Sequence, residues 1–272
     1  MQPIAPEELA ALLAIMKAQY GYDFSGYAEA SMTRRVQRCA SLAGDITIKD
    51  LADRISQDPE FFSWFIQMFT VNVTEMFRDP TFYAKLREKV LPVLATYPTI
   101  KIWHAGCATG EEVYSVAILL YEAGLLDRTR IYATDINPAN IEKAQAGVLP
   151  INTLKEYTQN YRRAGGTGEF SEYYAARYDK AIIRKDLRES VVFSQHNLVT
   201  DGVFNEFQLV LCRNVLIYFK RDLQNRVVRL LYDSLSPLGF LALGTKESLM
   251  FSETRAQFDV VNGALKIFRR RS

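Results

Sequence analysis

The chain has 272 residues, 49% of them hydrophobic and 24% charged, with a formal net charge of +2. That is enough apolar material to fill the core of one large domain or two small ones. The small net charge gives no general reason to expect nucleic acid or an anionic membrane as partner. The three cysteines, Cys39, Cys107 and Cys212, are far apart and set among apolar neighbours. They read as reduced thiols of a cytoplasmic protein. With only two histidines, His104 and His196, and no close Cys/His pairing, the sequence offers no zinc site, and no metal is expected. The N-terminus lacks a signal-peptide progression, and no apolar run approaches the roughly 20 residues of a membrane helix.

The first quarter of the chain reads as helical. Pro6 opens a helix whose apolar face is Leu9, Leu12, Leu13, Met16 and Tyr20. A second helix, about 28–43, puts Met32, Val36, Cys39 and Ala43 on one side and Arg34, Arg35 and Arg38 together on another. Thr47 and Asp50 stand at capping-box spacing before a third helix. A fourth starts at Asp58-Pro59 and carries Phe61, Phe62, Phe65, Ile66 and Phe69.

From about residue 100, strands alternate with helices. Strands are predicted at 100–105, 130–134, 191–195, 207–211 and 240–243, with helices at 111–123, from Asn137-Pro138, and at 222–234. The tail reads as a hairpin, 257–261 and 264–268, around the turn Asn262-Gly263. Alternation implies a parallel sheet covered on both faces, and the final hairpin adds an antiparallel edge. That edge separates a Rossmann-like methyltransferase sheet from a plain dinucleotide-binding one. Between about 150 and 190 the alternation breaks, and the segment reads as an inserted, mostly antiparallel β-subdomain.

In open α/β sheets, ligands sit beyond the carboxyl ends of the strands, and the unusual polar residues of this chain fall there. Gly106 and Gly110 bracket the loop after the first strand, where a bare backbone can approach a ligand. Glu111 and Glu112 follow at once. A loop cradling pyrophosphate wants no carboxylate there, whereas one holding the cationic, hydroxyl-rich S-adenosylmethionine can use it. Asp135, after the second strand, is placed to accept from ribose hydroxyls or to cap the helix at Asn137, and the roles can coexist. Asn197 follows the third strand, and Cys212, Arg213 and Asn214 follow the fourth.

Three segments occur in order: Thr70-Val71-Asn72-Val73-Thr74-Glu75-Met76-Phe77-Arg78, Ala105-Gly106-Cys107-Ala108-Thr109-Gly110-Glu111-Glu112, and Cys212-Arg213-Asn214-Val215-Leu216-Ile217-Tyr218-Phe219. Together they resemble the chemotaxis receptor methyltransferase (CheR) family over almost the whole chain. The resemblance implies a class I S-adenosylmethionine-dependent methyltransferase sheet with an N-terminal all-α domain and a small inserted β-subdomain. The helical, receptor-docking domain would span 1–75 and the methyltransferase domain 76–272, with the insertion at about 155–190.

The implied reaction is methyl esterification of glutamate side chains on the cytoplasmic helices of methyl-accepting chemotaxis receptors, leaving S-adenosylhomocysteine. Asn72, Thr74, Arg78, Glu112, Asp135, Asn197, Leu198, Cys212 and Arg213 match cofactor-contacting positions, with Gly106 and Asn214 in the same loops. Arg78 and Tyr218 match the pair nearest the transferred methyl. Arg34, Arg35 and Arg38 would dock the glutamate-rich receptor helices, and in some relatives the β-subdomain binds a receptor C-terminal peptide. The chain departs from the pattern at Val113, where proline is common, and at His104, where a small residue is common. The competing readings are a methyltransferase of another target and a cofactor-binding regulatory module. Against a nucleic-acid target, the fourth strand lacks a following Asn/Asp-Pro-Pro-Tyr/Phe, and no cysteine follows a proline.

Overall fold

The computed structural model describes residues 4–70 and 73–272. The chain divides into two compact units, one of residues 1–71 with 217–226, the other of 72–216 with 227–272.

The first unit is built on four helices, α1 (Pro6–Tyr20), α2 (Glu29–Leu42), α3 (Ile48–Gln57) and α4 (Pro59–Phe69). Each boundary has a local cause. Pro6 begins α1, and Gly21, at φ 76°, ends it in the left-handed conformation that glycine adopts without strain. Thr47 accepts the Asp50 N–H at the start of α3, and Asp58 accepts from Glu60 and Phe61 at the start of α4. All five apolar residues expected to face inward on α4 are buried. The core is strongly aromatic: Tyr20 stacks on Phe62 at 3.6 Å, and Phe24 meets both Tyr27 and Phe69 edge-on.

Residues 217–226 are woven into this unit. Tyr27 and Phe219 form an antiparallel bridge and pack edge-on at 4.8 Å. Ala28 N–H donates to the Tyr218 carbonyl at 2.9 Å, and Lys220 N–H to that of Gly26 at 2.8 Å. Gly26 is close-packed, since a Cβ there would come within 2.8 Å of Leu223.

The second unit opens with α5 (Pro80–Lys85), which runs through a π-helical turn, Leu86–Val90, into α6 (Leu91–Leu94). There follow β1 (Ile100–Ala105), α7 (Glu111–Glu122), β2 (Thr129–Asp135), α8 (Pro138–Ala146), β3 (Val148–Pro150), α9 (Leu154–Arg163), β4 (Tyr174–Arg177), β5 (Lys180–Ile183), α10 (Lys185–Glu189), β6 (Val191–Gln195), β7 (Phe207–Cys212), α11 (Arg221–Asp233, of which 221–226 belong to the first unit), β8 (Leu235–Leu243), β9 (Phe258–Asn262) and β10 (Ile267–Arg270).

The main sheet has the order β6-β2-β1-β7-β8-β10-β9. Its first five strands pair in parallel, and β10 is antiparallel to both β8 and β9. Buried apolar residues such as Ile102, Ile131, Leu209 and Leu211 give the central strands the continuous apolar character of a sheet covered on both faces. This is the α/β architecture with a closing antiparallel edge expected from the sequence.

Three details differ from that expectation. The segment before 240 belongs to β8, which starts at Leu235; its register against β7 skips across Ser236-Pro237-Leu238-Gly239, with Leu238 at φ 63°. The closing hairpin turns through four residues rather than two, because Asn262 pairs with Ile267 while its side chain accepts the Leu265 N–H. In the inserted region, β3-β5-β4 form an antiparallel sheet that takes in 148–150, and 154–163 is helical.

All three cysteines are free and buried. Burial pushes the Cys39 thiol up to about 12, and those of Cys107 and Cys212 well above the ordinary value of 9.0. Since the thiolate is the reactive form, the native protein at about pH 8 should resist alkylation that labels all three after denaturation. Rapid labelling of any of them in the native state, read by mass spectrometry, would contradict this packing.

Candidate functional site

The turn after β1 is fixed from two sides. Gly106 and Cys107 N–H groups both donate to the Thr134 carbonyl of β2, at 2.8 and 2.9 Å. Gly106 has φ 80°, and a Cβ there would come within 2.6 Å of Val215 in the segment after β7. Only glycine allows so close an approach. Gly110, at φ 95°, leads into α7. Between them Ala108 is held at φ 48°, its N–H donating to Asp135 Oδ2 at 2.9 Å.

Asp135 thus ties the β1 loop to the turn after β2. Its Oδ1 accepts from Asn137 N–H at 2.9 Å and Asn140 Nδ2 at 3.2 Å. It does not cap the next helix; Asn137 does, by accepting the Ala139 N–H at 3.0 Å. Burial pushes the Asp135 carboxyl up, against the pull of the amides that donate to it.

The two glutamates diverge. Glu111 turns back into its own loop and accepts from Thr109 Oγ1 at 2.7 Å. Glu112 lies between His104 Nδ1 and Arg213 Nη1, each at 3.0 Å from one of its oxygens. The Arg213 side chain is 1% exposed and also pairs with Asp79 at 2.7 Å, while its guanidinium sits 4.0 Å from the Phe82 ring centroid. One arginine so joins the loop after β1, the segment before α5 and the segment after β7. Burial raises the Glu112 carboxyl, but the His104 bond and the Arg213 charge outweigh it and leave it below the ordinary 4.5.

Of the other residues picked out by sequence, Arg78 is half-buried and donates to the Val73 carbonyl at 3.1 Å, between Phe77 and Asp79, both at positive φ. Thr74 is half-buried, and Asn72 lies outside the described residues. Asn197 organises the turn after β6: its side chain accepts the Val199 N–H at 3.0 Å, and half-buried Leu198 lies between them. Cys212 is buried at the end of β7, paired in register with Leu243, and Asn214 adopts φ 62°. Arg213, Glu112, Asp135 and the glycine loop therefore come together in the larger unit, whereas Tyr218 belongs to the helical unit. There Arg34 and Arg38 are exposed, but Arg35 is not on their face: it turns inward over the Tyr218 ring. Among the described residues, no cluster of three or more His, Cys, Asp or Glu is arranged to hold a metal ion. Nor is any helix among them long and apolar enough to cross a membrane.

Sequence reading missed Glu247. This residue is 4% exposed, and its carboxylate accepts from four backbone N–H groups: Asn214 at 3.0 Å, Val215 at 2.8 Å, Leu216 at 2.7 Å, and Gly244. It clamps the segment after β7 in its turned conformation. The available signal was its position, an acidic residue just past the carboxyl end of a buried strand. Asp79 was missed too, because its partner Arg213 is 134 residues away.

Two outcomes follow from this geometry. A carboxyl whose folded value lies below 4.5 contributes stability that is complete above that pH and lost as pH falls through the folded value. Glu112→Gln should therefore flatten the acid limb of melting temperature between about pH 6 and about pH 3; a limb as steep as the wild type's would place the linkage elsewhere. Glu247→Ala leaves four amides without their acceptor, at about 1–3 kcal/mol for each that stays buried. It should cost more than about 3 kcal/mol in urea unfolding, and a loss under about 1 kcal/mol would show that the clamp is dispensable.

Residues 72–267 match the family model described as the CheR methyltransferase SAM binding domain, and residues 7–70 match the CheR methyltransferase all-alpha domain. The chain is 47% identical over 263 residues to a Pseudomonas putida protein with the provisional name methyltransferase Cher3, covering 97% of this chain and 96% of that one. It is 33% identical over 191 residues to a chemotaxis protein methyltransferase of Vibrio parahaemolyticus, covering 68% and 67% of the two. A Listeria innocua chemotaxis protein methyltransferase is 29% identical over 238 residues, 87% of this chain and 88% of its own.

Proposed function

The chain belongs to the CheR methyltransferase family, and on that premise we propose that it methylates glutamate side chains of chemotaxis receptors in the cytoplasm, using S-adenosylmethionine. The observation that carries the reading is the glycine loop with its buried carboxylates beyond β1. Gly106 keeps backbone bare where a Cβ would collide, and Glu112 is held ionised beside it. Such a site suits a ligand with a positive centre and many hydroxyls. The names of the Vibrio and Listeria relatives support the receptor system as target.

Gly106, Glu112, Asp135, Asn197, Leu198, Cys212, Arg213 and Asn214 would hold the cofactor, together with Asn72, Thr74 and Arg78. When bound, S-adenosylmethionine supplies a sulfonium methyl that a carboxylate oxygen can attack. A glutamate substrate is already ionised at neutral pH, so the protein has no need of a general base. Its task is to orient the substrate and exclude water. Arg78 would hold the substrate carboxylate or that of the cofactor. Tyr218 would donate a hydrogen bond near the methyl. Exposed Arg34 and Arg38 on α2 would steer the acidic receptor helices by charge, and the β3-β5-β4 sheet would offer a receptor C-terminal peptide a place to bind.

The test is transfer of labelled methyl to a receptor cytoplasmic fragment, followed by mild alkali. Label incorporated and then released as methanol is the expected result, since a carboxyl methyl ester is base-labile. Arg78→Ala should slow transfer at saturating cofactor by more than about tenfold. Alkali-stable label, or no incorporation despite cofactor binding, would refute the glutamate-ester reading. A wild-type rate in Arg78→Ala would refute only the role of Arg78.

A further inference from the structure

We infer that Arg35 is a positioning residue for Tyr218, holding its ring in the orientation from which the phenol hydroxyl acts in methyl transfer. The inference rests on the reading that Tyr218 works at the transferred methyl. It separates Arg35 from Arg34 and Arg38, its neighbours on α2.

The guanidinium carbon of Arg35 lies 4.4 Å from the centroid of the Tyr218 ring and 5.9 Å from that of Phe69. Among the described residues Arg35 has no ion pair, and its Nη2 is buried with no hydrogen-bond partner. A half-buried guanidinium without an anion is costly to keep, so an explanation is required of it. What it does have is aromatic faces. A cation over a tyrosine ring is attracted by the ring quadrupole, worth about 0.5–2 kcal/mol as the site is desolvated. The contact restrains the side-chain torsions of Tyr218, and with them the position of the phenol oxygen.

The backbone around Tyr218 is fixed independently. Its carbonyl accepts the Ala28 N–H at 2.9 Å, one residue before α2 begins, and the next two residues are bound to Tyr27 and Gly26. Arg35 lies two turns further along α2. The same helix thus fixes the main chain at residue 218 through its start and the side chain through Arg35. A plain docking arginine needs neither an aromatic partner nor burial. Arg34 and Arg38, both exposed, have the character of such residues.

The two roles separate in a double-mutant cycle. Tyr218→Phe keeps the ring face and removes only the hydroxyl, so the cation–ring contact survives in it. Methyl transfer to a receptor cytoplasmic fragment is measured at saturating cofactor and fragment, for Arg35→Met, Tyr218→Phe and the double variant. Cofactor affinity by calorimetry and melting temperature are recorded for each.

Arg35→Met should lower kcat about tenfold in the wild-type background and less than about twofold in the Tyr218→Phe background. Cofactor affinity should stay unchanged, and any fall in melting temperature should be equal in both backgrounds. Arg35→Lys, which keeps a cation, should recover part of kcat. An equal slowing in both backgrounds would overturn the inference, since Arg35 would then act without the hydroxyl. A wild-type kcat with a raised KM for the fragment would overturn it too, and return Arg35 to docking. A wild-type rate in Tyr218→Phe is a different failure: it would remove the assigned role of Tyr218 itself.

Discussion

The larger unit depends on one buried cation. Arg213 sits at the end of β7 with almost no solvent contact, between Glu112 and Asp79 and over the Phe82 ring. Taking a guanidinium out of water costs several kcal/mol, and the cost is offset only when its partners are close and well aligned. Here the partners come from two other segments, the start of α7 and the turn before α5. Glu112 is in the first turn of α7, whereas Arg213 and Asp79 lie outside any helix or strand, so no ladder of backbone bonds fixes the three to one another. The ion pairs do so. Deleting Arg213 would leave Glu112 and Asp79 close together with no compensating charge, and that pair would repel. The site is therefore assembled by long-range electrostatics on a sheet that folds for apolar reasons.

The helical unit solves a different problem. Its four helices bury an aromatic core, yet the segment that completes this core comes from residues 217–226, far along the chain. Phe219 packs on the ring of Tyr27, which in turn meets Phe24, and the main chain on either side is bonded to residues 26 and 28. The bland role for such a domain is a platform that recognises a partner. Its packing also carries Tyr218, and whatever orients α2 also orients that ring, which lies under Arg35.

Sequence alone carried the local parts of this architecture well. The glycine loop was legible because its requirements are local: a strand, a bare turn and a helix start within a dozen residues. The inward face of α4 was legible because its apolar residues keep helical spacing. The start of β8 was not, since Ser236-Pro237-Leu238-Gly239 has the composition of a turn but is carried as an irregularity inside a strand, where neighbouring β7 supplies the pairing. Asp79 and Glu247 were invisible for another reason. Asp79 finds Arg213 134 residues away, and three of the four amides that Glu247 accepts from lie more than 30 residues away. Arg35 was misplaced by the same limit. Helical spacing groups it with Arg34 and Arg38, and only a ring 183 positions later distinguishes it.

The strain in the site loops has a common form. Phe77, Asp79, Ala108 and Asn214 all hold positive φ, at 54°, 58°, 48° and 62°, a conformation that costs a side-chain-bearing residue about 1–3 kcal/mol. Each is tied down by a bond of its own. Phe77 N–H donates to Ser115 Oγ, Ala108 N–H to Asp135 and Asn214 N–H to Glu247, while Asp79 binds Arg213 through its side chain. Three of these four anchors are charged side chains buried or half-buried among apolar neighbours, where a hydrogen bond is stronger than at the surface. The loops are thus held in shapes they would not take alone, and two of the three charges that hold them, Asp135 and Arg213, are ones the sequence pattern places beyond the strand ends. Asp135 shapes the backbone of the β1 loop as well as standing beyond the end of β2. That is why a change such as Asp135→Ala would act on the β1 loop through Ala108 as well as on any ligand that Asp135 touches.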